Sequence, residues 1–146
     1  MAVIEQADIR DIGHLTEITK KSKAYWGYSE KDLSDWDEQL TISEDYFERS
    51  VIYKSVEGNK IAGYYAFLKE DKDKETIRLD YLFVSPGFIG KGVGTRLLKH
   101  FVDLVKSGTN AKSIILEADP NAQGFYEKSG FEQAGQTESS IRDRYL

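Results

Sequence analysis

Seven consecutive residues near the middle of the chain have the composition of an anion-binding loop: Ile89-Gly90-Lys91-Gly92-Val93-Gly94-Thr95. The three alternating glycines allow the backbone to turn tightly and to approach a bound molecule closely. Residues 96–101 have a helical pattern, so the first N–H groups and the positive end of the helix dipole would face the loop. Such a site most often holds phosphate, whereas a flexible connector gives no reason for three glycines at a helix start.

Two classes of phosphate-binding loop fit the sequence poorly. A P-loop needs four residues between its glycines and then Gly-Lys-Ser/Thr, but Lys91 follows the first glycine here. A dinucleotide-binding loop is closer, because the apolar run 81–84 precedes the glycines and the acidic Glu117 ends the next predicted strand. However, the third glycine of that fingerprint would fall at Leu97, and Pro86 is among the residues between strand and loop.

The chain resembles the GNAT N-acetyltransferases in two motifs. Their central motif is a strand, a proline and then Arg/Gln-x-x-Gly-x-Gly/Ala, and the matching residues are Val84, Pro86, Gly92 and Gly94. Ile89 stands at the basic or amide position and departs from the pattern. The segment Asn121-Ala122-Gln123-Gly124-Phe125-Tyr126-Glu127-Lys128-Ser129-Gly130-Phe131 resembles the next motif of the family. The resemblance runs from residue 3 to residue 131 and is weakest between residues 25 and 48.

The resemblance implies acetyl-CoA as acyl donor and a set of residues that contact it. The backbone at Val84 would bind the acetyl carbonyl, and the loop amides would bind the pyrophosphate. The expected cofactor-binding residues are Phe83, Val84, Ile89, Gly90, Lys91, Gly92, Val93, Gly94, Thr95, Asn121 and Tyr126.

Catalysis by direct transfer needs a group that takes a proton from the amine and a group that gives one to the thiolate. The resemblance implies Tyr126 as general acid, and a phenol suits this role because it is neutral at pH 7. The resemblance also implies an acidic base on the strand that leads to Val84. Asp80 is the candidate, because it lies on this predicted strand and shares the face of Val84 by period-two alternation, and Glu117 on the neighbouring strand is the second candidate. The alternative for Asp80 is an ordinary strand carboxylate that pairs with Arg78 or a lysine. The alternative for Tyr126 is an aromatic residue that only packs.

The acceptor side is predicted from aromatic residues where the first helix ends. Tyr25, Trp26 and Tyr28 are the expected substrate-binding residues, with Trp36 and Tyr46 nearby in sequence. Such a cluster could form the wall of an amine pocket with cation–π attraction, or an aromatic core between helices. The expected activity is acetylation of a small primary amine. The alternatives are a protein or peptide amine, and a module that binds acyl-CoA without turning it over.

Composition limits the other possibilities. With 146 residues the chain predicts one domain, spanning 1–146. It has no cysteine, which excludes disulfides and an acyl-cysteine intermediate, and its two histidines share no ligand spacing, so no metal is expected. The net charge of −5 argues against nucleic acid, and we expect no membrane partner and a cytoplasmic location. Homodimerisation is left open.

The hydrophobic periods predict an α/β fold, a mixed sheet flanked by helices in the order β-α-α-β-β-β-α-β-α-β, which is the GNAT layout. Antiparallel strands are expected in the first half and a parallel crossover in the second. Some predicted bounds bear on later results. In the first half they are a helix capped by Asp8 and stopped by Gly27, a helix over 31–40, a hairpin turn over 57–60 and a solvated loop over 69–74. In the second half they are one strand over 75–84, a buried strand over 113–117, a helix from Pro120 to Lys128 capped by Asp119, and final strands from Phe131 and over 139–146.

Overall fold

The computed structural model describes residues 2–116 and 122–131, without the side chain of Gln123. The strands are β1 (Ala2–Gln6), β2 (Ser50–Glu57), β3 (Lys60–Leu68), β4 (Thr76–Arg78), β5 (Tyr81–Val84) and β6 (Ser113–Ile115). The helices are α1 (Ile12–Tyr25), α2 (Glu30–Asp35), α3 (Asp37–Leu40), α4 (Glu44–Arg49), α5 (Val93–Gly108) and α6 (Gln123–Lys128). Five sequence predictions lie outside the described residues: Glu117, the cap Asp119, the cofactor contact Asn121, the strand from Phe131 apart from its first residue, and the strand over 139–146.

The first helix ends where the sequence predicts, but a 3-10 turn over Ile9–Asp11 lies between the predicted cap, Asp8, and the start of α1. The Asp8 side chain accepts the N–H of Arg10 and the Asp11 carboxylate accepts the N–H of Asp8, which forms a capping box before α1. Gly27 follows the helix with φ +91°, the left-handed conformation that favours glycine after a helix end. Local sequence therefore fixes the turn that precedes α1 and the residue at which α1 ends.

The strands form a mixed arrangement, as expected. β1, β2, β3 and β5 make one antiparallel sheet in that order, and β4 pairs with β6 in parallel. The β2–β3 hairpin turns at the predicted residues, with Glu57 opposite Lys60 and Gly58 at φ +61°. Helix α5 makes the crossover between the two parallel strands, so the predicted antiparallel first half and parallel second half are both confirmed.

The predicted single strand over 75–84 is wrong, because it is divided between the two sheets. The Leu79 N–H donates to the carbonyl of Ile115, whereas the Asp80 N–H donates to the carbonyl of Ala66, each at 2.9 Å. The chain therefore changes its hydrogen-bonding neighbour between these two residues, and this change separates β4 from β5.

A β-bulge lies at the same point and alters which way Asp80 faces. Ala66 pairs in register with Tyr81 and also accepts from Asp80, so two residues of this strand oppose one of β3. A bulge interrupts the alternation of side chains. Leu79 and Leu82 consequently pack in one core cluster, together with Val84. The prediction that Asp80 shares a face with Val84 is wrong, since its carboxylate instead contacts α4.

The core consists of two clusters, one on each face of the sheet. On β3, Tyr65 and Phe67 belong to the cluster under α5 and α6, whereas Tyr64 and Ala66 belong to the cluster under α1. This alternation is what period-two patterning produces in a strand that is covered on both faces.

The helix predicted over 31–40 is two short helices, α2 and α3. Trp36 leaves the helical conformation at φ −97° and ψ 7°, and its ring makes an edge contact with Tyr28, at 5.2 Å between centroids. The tryptophan thus packs against the segment before α2, and the chain turns there.

Three other predictions need adjustment. The segment predicted as a solvated loop over 69–74 contains a 3-10 turn in which Asp71 is buried. The Lys74 N–H donates to the Asp71 carbonyl, and the Lys74 ammonium pairs with the Asp71 carboxylate at 3.3 Å. The strand predicted as buried over 113–117 is exposed where it is described: Ile114 packs on the core, but Ile115 is 51% exposed. Helix α6 begins at Gln123 rather than at Pro120.

Within residues 2–116 and 122–131, no helix has the length and apolarity that crossing a bilayer requires. The same part of the chain contains no cluster of three or more potential metal-ligating side chains.

Candidate active site

The glycine loop ends in a helix N-terminus whose amides have no helical partner. Gly90 and Gly92 have φ +85° and +81°, a conformation that only glycine adopts at little cost. Gly92 is the N-cap of α5, and no side chain caps the helix. The first helical bond runs from the Arg96 N–H to the Gly92 carbonyl at 3.1 Å, which leaves the amides of residues 93–95 without a helical acceptor. These amides and the helix dipole provide a site for an anion.

This helix N-terminus lies against β5. A Cβ placed on Gly94 would be 3.5 Å from both Val84 Cγ2 and Phe125 Cζ, which is van der Waals contact with the strand and with α6. The anion site and the carboxyl end of β5 are therefore neighbours in space as well as in sequence.

The Val84 amide points away from the sheet. The Phe83 carbonyl oxygen faces β3, where a Cβ on Gly63 would lie only 2.6 Å from it. Because the peptide is trans, the Val84 N–H in the same peptide group points in the opposite direction. β6 pairs with β4, and among the residues that the structure describes no strand pairs with this outer edge of β5. The Val84 N–H is therefore directed at the open edge of β5, and its predicted contact with the acetyl carbonyl stays a prediction.

Asp80 lies in a partly buried polar group at the start of β5. Its Oδ2 accepts a hydrogen bond from the Tyr46 hydroxyl at 2.7 Å, and Arg78 Nε lies 3.8 Å from Oδ1. The Asp80 side chain is 18% exposed. Burial raises the pKa of this carboxyl above its usual range, while the hydrogen bond from Tyr46 and the charge of Arg78 act in the opposite direction. A carboxylate with a raised pKa is a better proton acceptor at neutral pH.

Tyr126 lies on α6 and is buried in the cluster under α5. Its ring makes edge contacts with Phe125 at 5.0 Å and with Phe131 at 5.8 Å between centroids. Phe125 contacts Gly94 at the start of α5, so the tyrosine is adjacent to the residues around the anion site. Its predicted role as general acid stays a prediction.

The predicted acceptor aromatics divide into separate groups. Tyr25 and Trp26 contact each other edge to face at 5.0 Å and are 55% and 45% exposed. Tyr28 pairs instead with Trp36, at 5.2 Å. Tyr46 belongs with neither pair but with Asp80. The exposed pair is the one available to a bound molecule.

Two residues and one contact near the site were not singled out by sequence. Lys23 is buried, with Nζ 5.4 Å from the Tyr28 ring centroid and 5.8 Å from that of Phe83. Arg96 donates from Nη1 to the Lys91 carbonyl at 3.1 Å, across the glycine loop. The hydrogen bond from Tyr46 to Asp80 joins residues far apart in the chain, and nothing in their local sequence indicates it.

Comparisons with known proteins agree with this geometry. The model of the acetyltransferase (GNAT) family, whose members are acetyl-CoA-dependent N-acetyltransferases, matches residues 15–131. Among the curated proteins compared, none matches the chain.

Solved structures share the fold over nearly the whole chain. The PaiA N-acetyltransferase of Thermoplasma acidophilum in complex with coenzyme A is 18% identical with a TM-score of 0.77, covering 95% of this chain and 94% of its own. The ribosomal-protein-S18-alanine N-acetyltransferase of Escherichia coli is 22% identical with a TM-score of 0.66, covering 92% and 80%. AAC(6')-Iy in complex with the bisubstrate analogue CoA-S-monomethyl-acetylneamine is 15% identical with a TM-score of 0.64, covering 96% and 97%. At these identities the likeness establishes the fold, and the family match extends over most of the chain. The chain therefore belongs to the acetyltransferase (GNAT) family.

Proposed function

We propose that this protein transfers the acetyl group of acetyl-CoA directly to the primary amine of a small-molecule acceptor. The observation that carries the proposal is the outward-pointing Val84 amide beside the N-terminus of α5. One backbone donor for a carbonyl oxygen and one anion site, next to each other, suit a thioester attached to a phosphate-bearing carrier.

The donor would lie along the outer edge of β5. Its pyrophosphate accepts hydrogen bonds from the amides between Gly90 and Thr95. Its pantetheine arm pairs with the backbone at Val84, because the Phe83 carbonyl faces β3 instead of this edge. The side chain of Lys91 is exposed, with Nζ 5.6 Å from the Phe88 ring centroid, and adds a positive charge near Ile89, where the family pattern has a basic or amide residue.

In the reaction, the amine nitrogen attacks the carbonyl carbon of the thioester. The Val84 N–H stabilises the oxyanion that forms, the C–N bond is made and the C–S bond breaks. Asp80 takes the proton that the amine loses, directly or through water, and Tyr126 gives a proton to the departing thiolate of CoA. No acyl-enzyme is formed, so initial-velocity lines should intersect rather than run parallel.

Two features favour a small amine over a protein or peptide amine. The exposed Tyr25–Trp26 pair offers aromatic faces to a single cationic group, and the net charge of −5 favours cationic acceptors. Both acceptor classes occur among proteins with this fold, since one similar structure holds an acetylneamine analogue and another acetylates a ribosomal-protein alanine. The peptide acceptor is therefore the second candidate.

Isothermal titration with acetyl-CoA and with NAD tests the donor site. We expect saturable binding of acetyl-CoA and much weaker binding of NAD, because the spacing of the glycines departs from the dinucleotide fingerprint. A preference for NAD, or no acetyl-CoA binding at millimolar concentration, would contradict the proposal.

Replacing Tyr126 by phenylalanine should lower kcat by roughly tenfold or more, because the variant keeps the buried ring and loses the proton donor. The affinity for acetyl-CoA should change little. Tyr65→Phe is the matched control, since this tyrosine is buried in the same core cluster but its hydroxyl bonds to His100 Nδ1, at 2.7 Å, and not to a residue of the candidate site. Full activity of the Tyr126 variant would leave the tyrosine with a packing role alone.

Replacing Trp26 by alanine should raise the acceptor KM while leaving the acetyl-CoA KM unchanged, because the indole is exposed beside the predicted acceptor pocket. Ile9→Ala is the control, because Ile9 is also exposed, at 41%, but precedes α1 at its other end. Steady-state kinetics with each substrate varied in turn provides both constants. An unchanged acceptor KM in the Trp26 variant would remove this residue from the pocket.

A further inference from the structure

The contact between Tyr46 and Asp80 joins a helix on one face of the sheet to the start of β5. Tyr46 Oη donates to Asp80 Oδ2 at 2.7 Å, and both side chains are partly buried. A hydrogen bond to an ionised carboxylate in such a place is among the stronger ones in proteins.

The phenol of Tyr46 is itself held in place by other contacts. Its ring meets Tyr81 edge to face at 5.4 Å between centroids. The Tyr81 hydroxyl donates to the Gln39 carbonyl at 3.0 Å. At the start of α4, Ser43 Oγ accepts the backbone N–H of Tyr46 at 3.0 Å. These contacts hold the phenol in the position from which its hydroxyl donates to Asp80.

The two oxygens of Asp80 differ in their surroundings. Oδ2 accepts from Tyr46, whereas Oδ1 has a looser contact with Arg78 Nε at 3.8 Å. Arg49 of α4 and Asp71 of the turn after β3 act on the carboxyl at longer range and with opposite sign. The phenol stays protonated near neutral pH, because burial and the neighbouring Asp80 both raise its pKa.

We propose that Tyr46 is a positioning residue for the catalytic base, holding Oδ2 of Asp80 so that Oδ1 receives the proton of the acceptor amine. The proposal rests on the proposed function of Asp80. The same hydrogen bond stabilises the ionised carboxylate and so opposes the rise in pKa that burial causes.

The Tyr46→Phe variant tests this role, because it keeps the ring and loses only the hydroxyl. The acid limb of the pH profile of kcat/KM for the acceptor should move to higher pH by about one unit, which is a tenfold loss of rate on the acid side. On the plateau above the limb the loss should be smaller, and acetyl-CoA affinity should not change. Tyr53→Phe is the control, since this ring stacks on Tyr65 in the cluster under α5.

A second measurement follows the carboxyl directly, by carbon NMR titration of Asp80 in the wild type and in Tyr46→Phe. We expect a higher pKa for Asp80 in the variant. An unchanged titration, or a loss of activity that is equal at every pH, would overturn the positioning role. Failure of the proposed function gives a different result, namely wild-type rates in Asp80→Asn.

Discussion

Asp80→Asn is expected to lower kcat for acetyl transfer by about a hundredfold to ten-thousandfold, the usual contribution of a general base. Asparagine can still accept the hydrogen bond from Tyr46, so the local packing should persist while the proton acceptor is lost. Acetyl-CoA affinity should stay near the wild-type value, because the carboxylate lies several residues before the Val84 amide. Steady-state kinetics together with titration of acetyl-CoA separates the two effects.

Asp45→Asn provides the control for this change, since Asp45 is an exposed carboxylate paired with Arg49 on α4. It should leave kcat unchanged. If Asp80→Asn were as active as this control, Asp80 would be a structural carboxylate and the base would lie elsewhere.

The same substitution should alter stability in a direction set by the pKa of Asp80. Burial raises this pKa in the folded state. At pH values between the pKa of Asp80 in the unfolded chain and its higher pKa in the folded protein, the folded protein therefore binds more protons than the unfolded one. Stability of the wild type should therefore fall as pH rises through that window, and the loss should persist above it. The asparagine variant lacks this loss. Denaturant unfolding at several pH values should therefore show that the free energy of unfolding of the variant, relative to that of the wild type, increases with pH.

Gly63→Ala is expected to lower the free energy of unfolding by about 1–3 kcal/mol and to reduce activity. The new Cβ would lie 2.6 Å from the Phe83 carbonyl oxygen, 3.1 Å from Leu97 Cδ1 and 3.2 Å from Val93 Cγ1. The backbone contact is the severe one, because that carbonyl shares its peptide group with the Val84 N–H. Moving one end of the group moves the other, and a donor displaced from its acceptor loses transition-state stabilisation.

Gly13→Ala is a matched control for this glycine, because a Cβ there would meet no atom within 4 Å and the residue lies in α1. Alanine in a helix should leave stability unchanged or increase it. Equal unfolding midpoints for Gly63→Ala and the wild type would show that β3 and β5 can separate without cost, and would contradict the close packing at this point.

Features that depend on local sequence were predicted well. The loop at Gly90 and Gly92, the start of α5, the cap at Asp8, the end of α1 at Gly27 and the β2–β3 turn all follow from residues whose backbone preferences operate over a few positions. The antiparallel first half and the parallel crossover of the second half were predicted as well. The family motifs then indicated which of these elements should surround the donor.

Features that depend on distant pairing were not predictable. Period-two alternation places Asp80 on the face of Val84, and only the pairing of both Asp80 and Tyr81 with one residue of β3 reverses it. The break at Trp36 depends on its contact with Tyr28, and the partner of Asp80 comes from α4. Each of these features is decided by contacts between distant elements, and the sequence of a single strand or helix does not reveal such contacts.

The central claim, acetyl transfer to a small amine, is tested most directly by CoA release with acetyl-CoA and a panel of acceptors. The panel should contain polyamines, amino-acid derivatives and amine-bearing xenobiotics, with short peptides that carry a free N-terminus or lysine as the comparison. We predict turnover with at least one small amine, at a kcat/KM higher than that of any peptide. Turnover with peptides alone, or acetyl-CoA binding without release of CoA beyond hydrolysis for every acceptor, would contradict the account.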